Sequence, residues 1–286
     1  MKSKGSENLI GIKVRRIISY LVLIIIAFIC LFPFYILTIN ATRAHSAIQK
    51  GFSFLPGKSF VANWNTLMSN DNLPVLTGIV NSFILAASNA VLSIYFSALT
   101  AYAIHAYEFK LRKPAMTFIL MIMMVPTQVS ALGFIRLMSN MGFNDSFLPL
   151  IIPSVASPIV FFFMIQYMEG SLPIEIIEAA RIDGSGEFQT FNRIVLHIIK
   201  PALAVQAIFS FVSSWNNYFI PNLILESKEK KTLPILIAQL RSADFLKFDM
   251  GQVYMLMAIS IIPAIIAYLF LSKYIVQGVA LGSVKG

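Results

Sequence analysis

Six charge-poor apolar stretches, at residues 17–39, 79–104, 115–135, 147–168, 201–224 and 253–272, constrain this chain more than anything else in it. Each is long enough to cross roughly 30 Å of hydrocarbon as a helix. In that medium only a backbone that bonds to itself is satisfied, so helices are the expected form. Hydrophobic residues make up 57% of 286 and charged ones 12%, with a mean hydropathy of +0.77, far from the composition of soluble domains. The chain is therefore read as all-α: a polytopic membrane helical bundle of six transmembrane helices without a soluble domain. Residues 1–16 form a cytoplasmic or interfacial lead, and residues 17–286 the transmembrane domain.

The first stretch is too long for a signal-peptide core and lacks a small-residue cleavage site, so it is expected to be retained. Lys2, Lys4, Lys13, Arg15 and Arg16 precede it and place the N-terminus in the cytoplasm by the positive-inside rule. Six crossings return the C-terminus to that side, and the same count puts the segment after the fourth span there as well. Lys110, Arg112 and Lys113 after the second span agree. Residues 10–18 alternate basic and aliphatic side chains, as an interfacial anchor does. The net charge of +9 suits anionic lipid headgroups, at about 1 kcal/mol per basic residue near the surface. No basic stripe interleaved with aromatics points to nucleic acid. The single Cys30 excludes an intrachain disulfide and reads as a packing residue.

Residues 172–203 are a polar, helix-forming island between two apolar runs. Ser171 and Pro173 are start signals, acids fill the early turns, and Gly184 is a stop, which predicts a short helix followed by a sharp left-handed reversal. Ser185 is placed to cap a second short helix carrying Phe188, Phe191, Ile194 and Val195, and Pro201 opens the next span where its missing N–H is harmless. Small Ala179 and Ala180 beside charged Glu178 and Arg181 suit a helix gripped by another protein. The pattern Glu178-Ala179-Ala180, three residues, Gly184, nine residues, Ile194-x-Leu196 resembles the EAA loop of binding-protein-dependent ABC transporter permeases. Leu172-Pro173, Ala180 to Gly184, Lys200 to Leu203 and Trp215-Asn216-Asn217-Tyr218 look like the carbohydrate-uptake (maltose-type) branch. One departure is His197, where the family usually has proline; it is expected to soften the bend entering the fifth span.

The resemblance implies a membrane-spanning subunit of an ATP-driven importer for a sugar, with an oligosaccharide the expected cargo, in a bacterial plasma membrane. Its implied partners are a second, different permease, two ATP-binding subunits and an external solute-binding protein. Its implied coupling residues are Glu178, Ala179, Ala180, Arg181, Asp183 and Gly184. Glu178 would pair with a basic residue of an ATPase groove, the alanines would allow close seating, and Gly184 would set the turn. The resemblance also extends to the glycine-ended tail from Leu281 to Gly286, which approaches the ATPase pair in the family.

The remaining spans carry the candidates for a solute path. Ser82, Asn89, Ser93, Ser97 and Thr100 fall on one face of the second span among small alanines, which suits close helix packing or, at Ser82 and Asn89, a water-filled path. Pro126 should interrupt the third span, whose methionines read as adaptable packing. Gln128 behind Pro126 is expected to avoid lipid, either in packing or in the path. Pro149, Pro153 and Pro158 make a straight fourth span improbable. Trp215, Asn216, Asn217 and Tyr218 close the fifth span as an interfacial aromatic belt, or as a sugar contact or outer gate. Pro33 and Pro263 fall within the first and last spans, and the first is expected to face lipid. Two outer loops follow from this topology. In the first, Arg43, His45, Lys50, Phe52, Phe54, Trp64 and Asn65 read as a solvated or a docking surface. The second, 226–251, has balanced charge and reads as solvated; in maltose-type permeases the corresponding loop reaches into the binding protein.

No GxxxxGK[ST] phosphate loop occurs, so no cofactor is expected on this chain and ATP is assigned to separate subunits. His45, His105 and His197 lie in separate segments, no His/Cys cluster has metal-ligand spacing, and no catalytic constellation is present. An enzyme is therefore not expected. The competing class is an ion-coupled secondary transporter of a small polar solute. Proton carriers place carboxylates within their spans, whereas the acids here lie in loops or at span ends, and the internal repeat common in carriers is missing. A scaffold subunit would fit the polar island but leave the polar stripe of the second span unexplained.

Overall fold

The computed structural model describes the backbone of residues 3–242 and 248–283 and the side chains of residues 13–242 and 248–273. Lys2, Lys4, Asp244, Lys247 and the tail from Leu281 to Gly286 thus have side chains outside the described residues. The described residues form helices without any strand. The principal ones are α1 (Ser3–Ala41), α2 (Val75–Ala106), α3 (Arg112–Ile122), α4 (Thr127–Asn140), α5 (Pro158–Ser171) and α6 (Ile174–Ile182). They continue with α7 (Glu187–Ile198), α8 (Lys200–Trp215), α9 (Phe219–Ile224), α10 (Leu233–Arg241) and α11 (Met250–Ser283). Four helical stretches are long and apolar enough to cross a membrane, and two bent pairs bring the number to six.

The prolines decide where the spans break. Pro126 is extended, lacks an N–H to continue α3, and separates α3 from α4 at 96°. The fourth span is a short helix, Leu148–Ile151, a tight turn, Ile152–Val155, and then α5, which starts at Pro158. The Ser157 carbonyl at that break accepts from the Ser97 hydroxyl of α2 at 3.2 Å. That carbonyl also accepts the Phe161 N–H of α5 at 3.0 Å, so the serine of the polar stripe adds a second bond that ties α2 to the break. The fifth span is also discontinuous. Pro221 has no N–H to offer the Asn217 carbonyl, and the chain leaves α8 at Asn216 and resumes as α9 at Phe219. Spans three and four thus break at the prolines expected to interrupt them, whereas the break in the fifth span is not among the expectations from the sequence.

The chain forms two compact units. The first comprises Met1–Asn70 and Leu240–Ile259. In it α1 is exposed from Lys13 to Leu31, as a lipid-facing helix requires. Arg43, expected on a solvated or docking surface, is instead buried: its guanidinium donates to Asn40 Oδ1 and to the Ala47 and Gly51 carbonyls, and so folds the chain back after α1. His45 is likewise engaged, accepting the Met250 N–H at 3.0 Å and meeting Phe248 edge-on. Phe52 and Phe54 pack edge-to-face at 4.5 Å, and the Tyr35 hydroxyl donates to the Phe54 carbonyl. Trp64 and Asn65 remain exposed.

The second unit comprises Asp71–Gln239 and Ser260–Gly286. Its axis is α2, which packs mainly against α8 and α5. Ala98, Ala101, Met164, Ile165 and Met168 are fully buried where α2 meets α5, the small residues letting the helices approach. Thr100 departs from the polar face: it is exposed and bonds only to the Phe96 carbonyl of its own helix. The second outer loop is less solvated than its charge suggests. Asn81 donates to the Glu229 and Lys231 carbonyls, Ser82 Oγ accepts the Leu233 N–H, and Leu233, Ile235 and Leu236 are buried.

Candidate functional site

The polar island folds as a short helix with defined ends. Pro173, in extended conformation, caps α6, Glu175 occupies the first turn, and Ser171 closes α5 rather than opening α6. At the other end the Gly184 N–H bonds to the Arg181 carbonyl and the Ser185 N–H to the Ala180 carbonyl, both at 2.9–3.0 Å. This is the Schellman arrangement, and it requires the left-handed φ of +77° found at Gly184. Gly186, not Ser185, caps the next helix; the Ser185 hydroxyl instead accepts from buried Thr190. Phe191–Val195 then form a π-turn, and α8 leaves α7 at 82°. His197 therefore does not soften that bend: the turn is made at Ile199 and Lys200, with Pro201 in the first turn of α8.

One face of α6 is fastened and the other is free. Ile177 is fully buried among Met168, Leu172, Phe191 and Val195, and Ala180 is buried beside it. Glu178, Ala179, Asp183 and Gly184 are exposed, with Ile182 at 86% and Phe188 at 70% the most prominent apolar side chains nearby. Two of the expected coupling residues thus face inward. Ala180 serves packing within the chain, because three residues from Ile177 it lies on the same helical face. Arg181 turns back: its Nε sits 2.6 Å from Glu187 Oε1, and its guanidinium lies 5.1 Å from the Tyr107 ring centre. The Tyr102 hydroxyl of α2 donates to Glu187 Oε2 at 2.7 Å. In this loop between the fourth and fifth spans the Arg181 guanidinium holds the Glu187 carboxyl well below the usual carboxylate range, helped by the tyrosine hydroxyls and opposed by burial. His105 Nε2 also meets the Leu172 carbonyl at 2.8 Å, so the end of α2 holds both sides of α6.

A cavity of about 310 Å³ lies deeper in the same unit. Ser82 and Asn89 of α2, Thr127 and Ser130 of α4, Ser214 of α8, Asn217 and Thr232 supply its polar wall, and Leu85, Phe134 and Ile220 are among its apolar residues. Asn89 Nδ2 donates to Ser214 Oγ at 2.8 Å, which ties α2 to α8 across the wall. Three of the path residues expected from the sequence, Ser82, Asn89 and Asn217, are brought together here.

The other four are placed elsewhere. Gln128 is exposed and does not line the cavity; its neighbours Thr127 and Ser130, also exposed, do. Trp215 is buried for structural reasons, stacked on Phe211 at 5.8 Å and donating its indole N–H to the Ser260 carbonyl at 3.0 Å. Asn216 is exposed and bonds back to the Val212 carbonyl, and Tyr218 is exposed at the start of α9. Ser214 and Thr232, which sequence reasoning did not select, sit beside features it did read: Ser214 precedes Trp215, and Thr232 lies in the second outer loop.

Comparison with known proteins agrees with this architecture. Residues 93–281 match the family described as "Binding-protein-dependent transport system inner membrane component". The chain is 33% identical to the arabinooligosaccharides transport system permease protein AraQ of Bacillus subtilis, covering 96% of this chain and 97% of that protein. It is 31% identical to the sn-glycerol-3-phosphate transport system permease protein UgpE of Yersinia pestis (92% and 95% covered) and 28% identical to the lactose transport system permease protein LacG of Rhizobium radiobacter (94% and 96%). Its fold matches, with a TM-score of 0.77 at 23% identity over 92% of this chain and 96% of the other, a chain from the crystal structure of a bacterial ABC transporter involved in the import of the acidic polysaccharide alginate. The ion-coupled carrier and the scaffold subunit are thereby set aside: this chain is a multi-pass membrane protein belonging to the inner-membrane permease components of binding-protein-dependent ABC transport systems.

Proposed function

We infer that this chain is one half of the membrane channel of an ATP-driven sugar importer. A second permease completes the channel, two ATP-binding subunits drive it, and an external solute-binding protein delivers an oligosaccharide or another small sugar. The named substrates of similar permeases, arabinooligosaccharides and lactose, support that cargo. In this reading both termini lie in the cytoplasm, ATP binds only to the partner subunits, and the chain catalyses no reaction of its own.

The observation that carries the reading is the exposed face of α6, ended by Gly184 and anchored from behind by Ile177. Glu178, Ala179 and Asp183, with the protruding Ile182, form the surface that an ATPase groove would grip, while Arg181 and Ala180 hold that surface to the bundle. Closure of the ATPase pair would move α6 as a rigid piece, and through Ile177 and Glu187 the motion would reach α5 and α2. The bundle would then alternate between inward-open and outward-open forms. Co-purification from membranes tests this directly: an ATPase should accompany the chain, and reconstituted vesicles should take up sugar only when ATP is supplied. Uptake by the chain alone, driven by an ion gradient, would overturn it.

A further inference from the structure

After α1 and a short helix, His45–Gln49, the chain reads Lys50-Gly51-Phe52-Ser53-Phe54-Leu55-Pro56-Gly57-Lys58. The stretch between the two exposed lysines carries no charge, and its Phe52, Phe54 and Leu55 are exposed, Leu55 to 75%. An apolar tip of this kind, rimmed by charge, marks a surface that something other than water covers.

The segment doubles back along α1, within one compact unit. Its two ends are held beside the helix terminus. The Arg43 guanidinium donates to the Gly51 carbonyl at 3.0 Å, the Gly57 N–H bonds to Thr42 Oγ1 at 2.7 Å, and the Ser59 N–H bonds to the Thr42 carbonyl at 2.8 Å. Its middle is held further back: the Phe32 ring centre lies 6.0 Å from that of Phe52 and 6.5 Å from that of Phe54, and the Tyr35 hydroxyl donates to the Phe54 carbonyl. Phe32 precedes the end of α1 at Ala41 by about 14 Å along the axis. A hydrocarbon layer of about 30 Å takes up about 20 residues of helix, so a span that begins at Ile17 is still in hydrocarbon at Phe32 and Tyr35 and has left it by Ala41. The rings of Phe52 and Phe54 therefore meet α1 at lipid depth, where a water-soluble partner does not reach.

Irregular backbone near that depth needs bonds that do not come from water. Arg43 supplies one to Gly51 and Tyr35 one to Phe54, Ser53 Oγ bonds both the N–H and the carbonyl of Leu55 at 3.1 Å, and Pro56 has no N–H to satisfy. The return is close: a Cβ at Gly57 would come within 2.6 Å of the Thr42 carbonyl oxygen.

We propose that residues 51–57 are a re-entrant interfacial loop, with Phe52, Phe54 and Leu55 seated below the lipid headgroups at the far end of α1 and Lys50 and Lys58 meeting the lipid phosphates on either side. The loop continues the lipid-facing surface of α1 and fixes the height of that helix in the bilayer opposite its basic lead. The first outer loop is thereby divided: 51–57 face lipid, and Trp64 and Asn65 remain at the aqueous surface. That the leaflet is the outer one rests on the orientation proposed above; the seating depends neither on the cargo nor on the ATPase.

Spin-label accessibility in the assembled complex, reconstituted in vesicles of phosphatidylethanolamine and phosphatidylglycerol, tests the loop. Cys30→Ala and replacement of any partner cysteines clear the background, Leu55→Cys carries the nitroxide, and Asn65→Cys, also exposed, is the reference. The ratio of relaxation by oxygen, which concentrates in lipid, to relaxation by a water-soluble nickel chelate should be several-fold higher at residue 55 than at residue 65. Phe52→Ser with Phe54→Ser should move the residue 55 label toward the nickel chelate. Equal ratios at the two positions would overturn the proposal, as would low access of both reagents to residue 55, the mark of a protein lying over the loop. A label that stays in lipid in the double variant would overturn the role of the two rings. An impermeant thiol reagent outside intact cells should label Asn65→Cys; labelling from the inside alone would overturn the orientation and the choice of leaflet, and the accessibility ratio would still decide the seating.

Discussion

Arg181 and Glu187 face each other at 2.6 Å across the reversal made by Gly184, with the Tyr102 hydroxyl bonded to the same carboxylate. The pair therefore joins α6, the start of α7 and the end of α2. Side chains exposed to this degree contribute little to stability, so their loss should show in transmission rather than in folding. Glu187→Gln and Arg181→Gln are expected to insert and co-assemble normally while ATP-driven uptake falls several-fold. The exchange Arg181→Glu with Glu187→Arg should recover part of it. Uptake per assembled complex is the measurement, and unchanged uptake in both single variants would refute the transmission role.

Gly184 offers a comparison between two substitutions. No atom lies near a Cβ added there, so crowding is not the issue; the φ of +77° is. A Cβ at such a φ costs about 1–2 kcal/mol, and a β-branched side chain suffers most. Gly184→Val should abolish coupled uptake in reconstituted vesicles although the chain still inserts. Gly184→Asn, tolerant of the left-handed region, should retain most of the activity.

Glu178 is exposed on the free face of α6 and has no role in packing. Glu178→Lys is accordingly expected to leave expression and membrane insertion unchanged and to abolish ATP-coupled transport, with weaker retention of the ATPase on purification. Full transport by this variant would remove Glu178 from the contact surface.

Asp145 ties the loop after α4 to the second outer loop, accepting from the Glu226 and Ser227 N–H groups and pairing with Lys230 at 3.1 Å. The Ser227 hydroxyl bonded to it holds its carboxyl well below the usual carboxylate range, with the backbone N–H groups and Lys230 adding to the effect and burial opposing it. A carboxyl depressed on folding contributes stability above its unfolded value of about 3.9 and loses it as pH falls further. Thermal unfolding of the purified chain should therefore be insensitive to this group between about pH 8 and 5 and decline below about pH 4. Asp145→Asn should flatten that acid limb.

Gly251 lies where a Cβ would come within 2.8 Å of the Asn63 amide and 2.9 Å of the Arg43 carbonyl. Asn63 Nδ2 bonds there to the Ala41 and Arg43 carbonyls. Gly251→Ala should displace that amide and destabilise the unit by about 1–3 kcal/mol, the cost of buried groups left unpaired. Thermal unfolding in detergent reads the loss.

The long apolar stretches, the helix stop at Gly184 and the break at Pro126 were legible because each follows from chemistry local to a few residues. Side-chain direction was not. Ala180 and Arg181 look alike in the sequence as parts of one exposed motif, yet Ile177 sets which face of α6 is inward, and Arg181 finds its partner only because Glu187 begins the next helix. Gln128 was read from polarity alone, but after the 96° break it is Thr127 and Ser130 that line the cavity. Asn89 and Ser82 were recognisable from their shared face of α2. Thr232 was not, since its burial depends on a loop threading back against a helix some 150 residues earlier.

Of the four helical stretches long and apolar enough to cross a membrane, α2 alone lacks a proline, and it runs its 32 residues, about 48 Å, unbroken. It carries Asn81 near one end, Asn89 near its middle and Tyr102 near the other. Such an unbroken rod acts as a lever with its fulcrum beside the cavity. A tilt of about 5° at the level of Asn89 would swing Tyr102 by roughly 2 Å and Asn81 by roughly 1 Å in the opposite sense, so that a push received at one mouth is felt, reversed, at the other.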